Sequence, residues 1–163
     1  VQLSNGSWLA RAARLLDAHA TRFDGQEVAF CNVHGDVTTS NLMIRGQTVI
    51  GLDFDARRRL PLATDVCRLL VHLDVCRYLP TPHWAMDETA GSRRDVQALR
   101  SGYGADLFPD GPFFSFVLLN DIVRRIAIRS DGNASQGKSF GRRLELYRLN
   151  RRCKFLVQHL ERT

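Results

Sequence analysis

His34-Gly35-Asp36-Val37-Thr38-Thr39-Ser40-Asn41, followed after eleven intervening residues by Asp53 within Gly51-Leu52-Asp53-Phe54-Asp55, is the stretch that decides how the rest of the chain is read. Before it, Glu27-Val28-Ala29-Phe30-Cys31-Asn32-Val33 reads as a short buried strand, and the Gly, Asp and Thr residues of 34–40 break any periodicity, as a loop does. After it, Asn41-Leu42-Met43-Ile44-Arg45 and Thr48-Val49-Ile50-Gly51-Leu52-Asp53-Phe54 are apolar stretches joined by Gly46-Gln47, the pattern of a tight hairpin. A hairpin returns the chain to its origin. Asp36 in the loop, Asn41 at the hairpin's start and Asp53 at its far end are therefore expected to line one cleft.

Three oxygen-bearing groups in one cleft suit phosphoryl transfer, where the protein mainly positions an acceptor hydroxyl and holds magnesium across nucleotide phosphates. Magnesium takes hard oxygen ligands. Asp36 would accept or orient the hydroxyl proton, Asn41 would give a neutral oxygen to one metal, and Asp53 would bridge the metal ions. Asp55 has two readings, an extra ligand or electrostatic support, or a surface ion pair with Arg57, Arg58 or Arg59. The plain alternative for the loop is a set of Asx and Thr residues bonding to nearby backbone. Asp53 closes an apolar strand, where an unpaired carboxylate is costly to bury, so the joint pattern is more specific than either part.

H-G-D-x-x-x-x-N followed by L-D-F-D resembles the signature of the aminoglycoside phosphotransferase and choline kinase-like family, and is similar to the H-R-D-x-x-x-x-N and D-F-G motifs of protein kinases. Gly35 stands in place of the protein-kinase arginine and Asp55 in place of the glycine, which tilts the likeness toward the small-molecule enzymes. The resemblance implies an α+β, mostly helical fold: a protein-kinase-like C-terminal lobe with a small β-hairpin carrying the catalytic loop. It implies Asp36 as catalytic base, Asn41 and Asp53 as metal ligands, and Mg2+ with ATP or GTP as cofactors. The acceptor it implies is a small-molecule alcohol: an aminoglycoside, a choline-like alcohol, or a sugar or amino alcohol. In the family a proline-containing turn and a helix opening near an aspartate follow the metal aspartate. Pro61 and Asp65 stand in that place, although Arg59-Leu60-Pro61 replaces the common Gly-Asp-Pro. Asp65 is thus expected to brace the loop backbone, against the alternative of a helix-start residue alone. His34 is expected to pack and hydrogen-bond in support of the loop rather than act as a base.

The family also uses an N-terminal lobe with a phosphate-covering loop and a strand lysine. Here 33 residues precede His34, no G-x-G-x-x-G occurs, and the first lysine is Lys138. The expectation is a single domain over 1–163, the catalytic and substrate lobe without the ATP-gripping lobe. Its apolar surface would then be covered by that lobe or by a second copy of the chain. An inactive, truncated lobe serving as a binding module is the main rival to an enzyme.

Working outward, 163 residues fit one domain, and 44% hydrophobic with 25% charged residues is ordinary for a globular fold. A mean hydropathy of -0.21 and no apolar run of about 18 residues argue against a membrane span, and a membrane is not an expected partner. Nothing resembles a signal peptide, so the expected location is cytoplasmic. Cys31, Cys67, Cys76 and Cys153 are spread without a C-x-x-C pair and read as reduced thiols. Helical spacing marks residues 7–23 with Ser7 as N-cap, 64–79 with Thr64 as N-cap, 93–103, 113–128 and 140–160; residues 80–92 read as loop and 130–139 as a connection. His72 and Cys76, four apart, read as core residues rather than a metal pair, and Phe113-Phe114-Ser115-Phe116 as core rather than a substrate cage. Net charge is +6, carried by arginine apart from Lys138 and Lys154. A basic nucleic-acid- or lipid-binding domain on the same fold is the third reading. Arg142, Arg143, Arg148, Arg151, Arg152 and Lys154 read as a solvated face of the last helix, so nucleic acid is not an expected partner.

Overall fold

Gly111-Pro112 opens a 21-residue helical segment, with proline in the first turn, where its missing N–H would be unpaired in any case. In the computed structural model, which describes residues 5–28, 30–54, 59–77, 86–87, 91–104, 108–131 and 140–162, that segment is a central helix. Calling it α4 (Gly111–Asp131), the helices around it are α1 (Asn5–Phe23), α2 (Ala63–Cys76), α3 (Arg93–Tyr103) and α5 (Phe140–Leu160). α4 packs on α5, α2 and α1, and α1 also lies against α5. Leu118, Leu119 and Ile122 of α4 meet Leu70 and Cys67 of α2 and Leu156 and Val157 of α5 in one continuous core, each at most 1% exposed. Each such aliphatic side chain contributes about 1.5–3 kcal/mol by leaving water. The ring of Phe23 at the end of α1 sits edge-on to Phe113 and tilted against Phe116, at 5.4 and 5.6 Å, while Phe114 is buried.

The fold is therefore α+β and mostly helical, with short strands in three two-stranded antiparallel ladders among the described residues. β2 (Leu42–Arg45) and β3 (Thr48–Gly51) form the expected hairpin, pairing Leu42 with Gly51 and Arg45 with Thr48. β1 (Phe30–Asn32) pairs with β4 (Arg59–Pro61), and β5 (Met86–Asp87) with β6 (Gly91–Ser92). No helix among the described residues is long and apolar enough to cross a membrane.

Several expectations change. The strand read over 27–33 shrinks to β1 and is not buried: it has a partner on one edge, and Phe30 is 52% exposed. β4 was not anticipated, because three residues carry no period and their partner lies about 30 positions away. β5 and β6 sit inside the stretch read as loop. Ser7 and Thr64 fall within their helices rather than capping them. Helix α2 ends at Cys76, and residues 78–79 of the expected helix lie outside the described residues, as do 132–139 of the expected connection. Arg148 and Arg152 are 5% and 3% exposed, so the basic face of α5 is not uniformly solvated. Arg148 donates to the carbonyl of Val75, in the last turn of α2, where unpaired carbonyls and the negative end of the helix dipole favour a cation.

Candidate active site

Asp65, Arg68, His72 and Cys76 recur at intervals of three and four, which puts them on one face of α2. β4 runs directly into α2 and pairs with β1, so the start of α2 arrives beside the chain leaving β1 toward the loop 34–41. Asp65 Oδ2 accepts the backbone N–H of His34 at 2.6 Å, and its Oδ1 accepts that of Gly35 at 2.8 Å. Asp65 is 7% exposed, and a carboxylate so buried is stabilised by accepting two N–H groups. Gly35 has φ +76, a conformation that a residue with a Cβ rarely adopts, and it turns the chain sharply before Asp36.

Further along the same face, Arg68 Nη1 lies 3.8 Å from Asp36 Oδ1, and His72 Nε2 lies 2.7 Å from Thr39 Oγ1. His72 is thus half-buried and bonded to the loop, and Cys76 is exposed, 3.6 Å from His72 Nε2; neither is a core residue as expected. Burial lowers the His72 pKa, Arg125 lowers it further, and Asp36 and Glu145 oppose this.

Asn41 closes a single 3-10 turn, Thr39–Asn41, and its Nδ2 donates to the backbone oxygen of Asp36 at 3.0 Å and reaches Asp36 Oδ2 at 3.3 Å. With its nitrogen turned to Asp36, the Asn41 side-chain oxygen is left as an acceptor. The Leu52 N–H donates to the Asn41 carbonyl at 2.8 Å, which carries the hairpin pairing one step past Gly51 and sets Asp53 at the hairpin's open end, beside Asn41. Asp53 has φ +57, uncommon for a residue other than glycine, and is exposed. The ring of His34 packs edge-on to Phe54 at 6.0 Å and against Gly51 as expected, but its nitrogens have no hydrogen-bond partner among the described residues, so its side chain supports the loop by packing and not by the expected hydrogen bond. Asp36 and Asn41 are thus in contact at the mouth of the hairpin, and Asp53 follows Leu52, the residue paired with Asn41, while Asp65 holds the loop from behind. Asp55, with Arg57 and Arg58, lies outside the described residues.

The donor chemistry fits magnesium: a carboxylate on Asp53 and an amide oxygen on Asn41 are hard ligands of the kind that ion takes. Among the described residues no cluster of three or more His, Cys, Asp or Glu could hold a metal by protein ligands alone.

Sequence reading missed what lies under Asp36. Asp121 of α4, 8% exposed, has Oδ1 3.7 Å from Arg68 Nε and Oδ2 2.8 Å from Arg125 Nε; Arg125 also reaches the Arg68 carbonyl at 3.4 Å. The spacing of Arg68 from Asp65 was the one signal in the sequence that could have brought Arg68 to notice.

Two open cavities of about 430 Å3 each lie elsewhere, along α1 and α5, and share Gln158. The Trp8 ring there carries the Arg11 guanidinium at 4.4 Å and the Lys154 ammonium at 5.2 Å.

Compared with family models, curated proteins and solved structures, the chain matches none.

Proposed function

We propose that the chain is the catalytic lobe of a kinase-like phosphotransferase, passing the terminal phosphate of ATP or GTP to the hydroxyl of a small-molecule alcohol. The observation that carries this reading is the contact of Asn41 with Asp36 at the mouth of the β2–β3 hairpin, where the pairing of Leu52 with Asn41 also brings in the backbone of Asp53, on a loop whose backbone Asp65 holds by two hydrogen bonds.

Asp36, whose side chain is 65% exposed, is open to an incoming alcohol. It accepts the hydroxyl proton as the alcohol oxygen bonds to the terminal phosphorus; the bond from that phosphorus to its bridging oxygen breaks, and the electron pair leaves with the nucleoside diphosphate. Asn41 holds the Asp36 backbone in place through Nδ2, and its oxygen, with the Asp53 carboxylate, would hold the cation. Magnesium held there would neutralise charge on the phosphates. The left-handed backbone at Asp53 is the kind of local strain that accumulates at functional positions. The sequence has no glycine-rich phosphate loop, so the reading assigns the grip on the triphosphate to a further lobe.

A second reading, a binding module without turnover, is favoured by the apolar hairpin: Met43, Ile44, Val49 and Ile50 are 42–75% exposed. In either reading, the further lobe or a second copy of the chain would cover that face.

The test is calorimetric titration of the chain with ATP and GTP, with and without magnesium, followed by turnover across a panel of alcohols. Magnesium-dependent binding lost in Asp53→Ala, and turnover lost in Asp36→Asn with binding kept, is the expected result. Absence of any nucleotide binding would sink turnover by the chain alone. Binding of RNA that falls steeply with salt and ignores Asp36→Ala would move the assignment to a basic nucleic-acid surface.

A further inference from the structure

Arg68 takes no part in the chemistry above, yet its guanidinium lies under the reacting carboxylate. Its side chain is 11% exposed, with Nη1 3.8 Å from Asp36 Oδ1 and Nε 3.7 Å from Asp121 Oδ1. Asp121 is in turn held by Arg125 at 2.8 Å on its other oxygen. Asp36, Arg68, Asp121 and Arg125 form an alternating row of charges that runs from the loop, across α2, to α4. The row sums to zero, so it leaves no uncompensated charge in the half-buried space between the helices.

We propose that Arg68 is the positioning residue for Asp36, an inference that rests on the phosphotransfer reading. Asp36 projects from a loop, where an exposed carboxylate is free to change rotamer. Its two oxygens have different neighbours: Oδ2 faces the Asn41 amide at 3.3 Å and Oδ1 faces Arg68. Two points of attraction fix the plane of the carboxylate where one would leave it to rotate. Both separations are longer than tight hydrogen bonds, so the lone pairs that must receive the hydroxyl proton are not used up. Arginine suits this place because its planar fork addresses Asp121 through Nε and Asp36 through Nη1 together, whereas the single ammonium of lysine offers one centre of charge. Asp121 anchors the fork to α4, whose Leu118, Leu119 and Ile122 lie in the core, so the loop carboxylate is referenced to the packed part of the molecule.

The test uses the full chain with Arg68→Gln, Arg68→Lys and Asp36→Asn. One arm needs no turnover: the Nε–Hε resonance of Arg68 is followed by NMR, and Asp36→Asn is expected to move it and loosen the side chain. An unmoved resonance would overturn the proposal. In the other arm, Arg68→Gln lowers kcat by roughly 10–100-fold, the scale of a small misplacement of a reacting group, while the KM for nucleotide stays unchanged. Arg68→Lys falls between the two. Wild-type kcat in Arg68→Gln would sink the idea. If Asp36→Asn itself leaves turnover intact, the phosphotransfer reading fails, and the resonance arm still judges the Arg68–Asp36 contact. Asp121 keeps Arg125 in Arg68→Gln, so no carboxylate is stranded; should that variant nevertheless fail to fold, Arg68→Lys carries the kinetic arm.

Discussion

Asp65 does for the loop what a cap does for a helix end: it satisfies two backbone donors that would otherwise be orphaned beside a buried surface. Asp65→Ala should therefore cost about 1–3 kcal/mol in urea denaturation, with Asp65→Asn, which keeps one acceptor, costing less. Gly35→Ala should cost about 1 kcal/mol or more, because its φ of +76 is strained for alanine, and the loss should appear in the same measurement. His19 and His72 give a pH signature. Burial first and Arg22 second lower the His19 pKa; burial first and Arg125 second lower that of His72. The unfolded chain thus takes up these protons at higher pH than the folded one. The stability they contribute is complete above the ordinary histidine value of about 6.5 and is lost as pH falls through the folded values. Melting temperatures should decline between about pH 7 and 5, and His19→Leu with His72→Asn should flatten that decline; an unchanged slope would acquit both histidines. At this scale Asp36, Asn41 and Asp53 were legible because their spacing is tied to a loop and a hairpin, and Asp65 only through the resemblance that marks the helix after them. Arg68 and His72 were not, because nothing in an arginine-rich chain distinguishes one helical arginine from another until the loop is laid against it.

The helices were legible for a different reason. An apolar residue every three or four positions states which side of α1, α2 and α4 faces the core, and that pattern survives errors of a few residues at the ends. Leu119→Ala, at 0% exposure in α4, should accordingly cost about 2–5 kcal/mol, read as a lower denaturant midpoint with an unchanged slope. Elements fixed by distant partners were not legible. β4 exists because β1 is there to pair with it, and Arg148 is buried because the last turn of α2 offers it the Val75 carbonyl. The ion pair of Arg77 with Asp95 ties the end of α2 to α3 in the same way. Arg148→Ala should destabilise by about 1–3 kcal/mol, the scale of a charged hydrogen bond whose partner is stranded, where an exposed arginine would cost almost nothing.

For the molecule as a whole, a helical core carries a hairpin that is apolar on both sides. Met43 pairs with Ile50 on one face and Ile44 with Val49 on the other, and all four side chains meet solvent. Such a surface predicts association that grows with concentration in sedimentation velocity and weakens in Ile44→Lys. The four thiols are distributed over the molecule just as unevenly. Cys67 and Cys153 are sealed in the core, where burial pushes both thiols up, that of Cys153 to about 11, while Cys76 stands exposed one helical turn from His72 and its bond to Thr39. A maleimide dye added to the folded chain should therefore attach at Cys76 well before the two core cysteines. Its emission would then report, without any engineered residue, when a nucleotide or an alcohol settles the loop beside it.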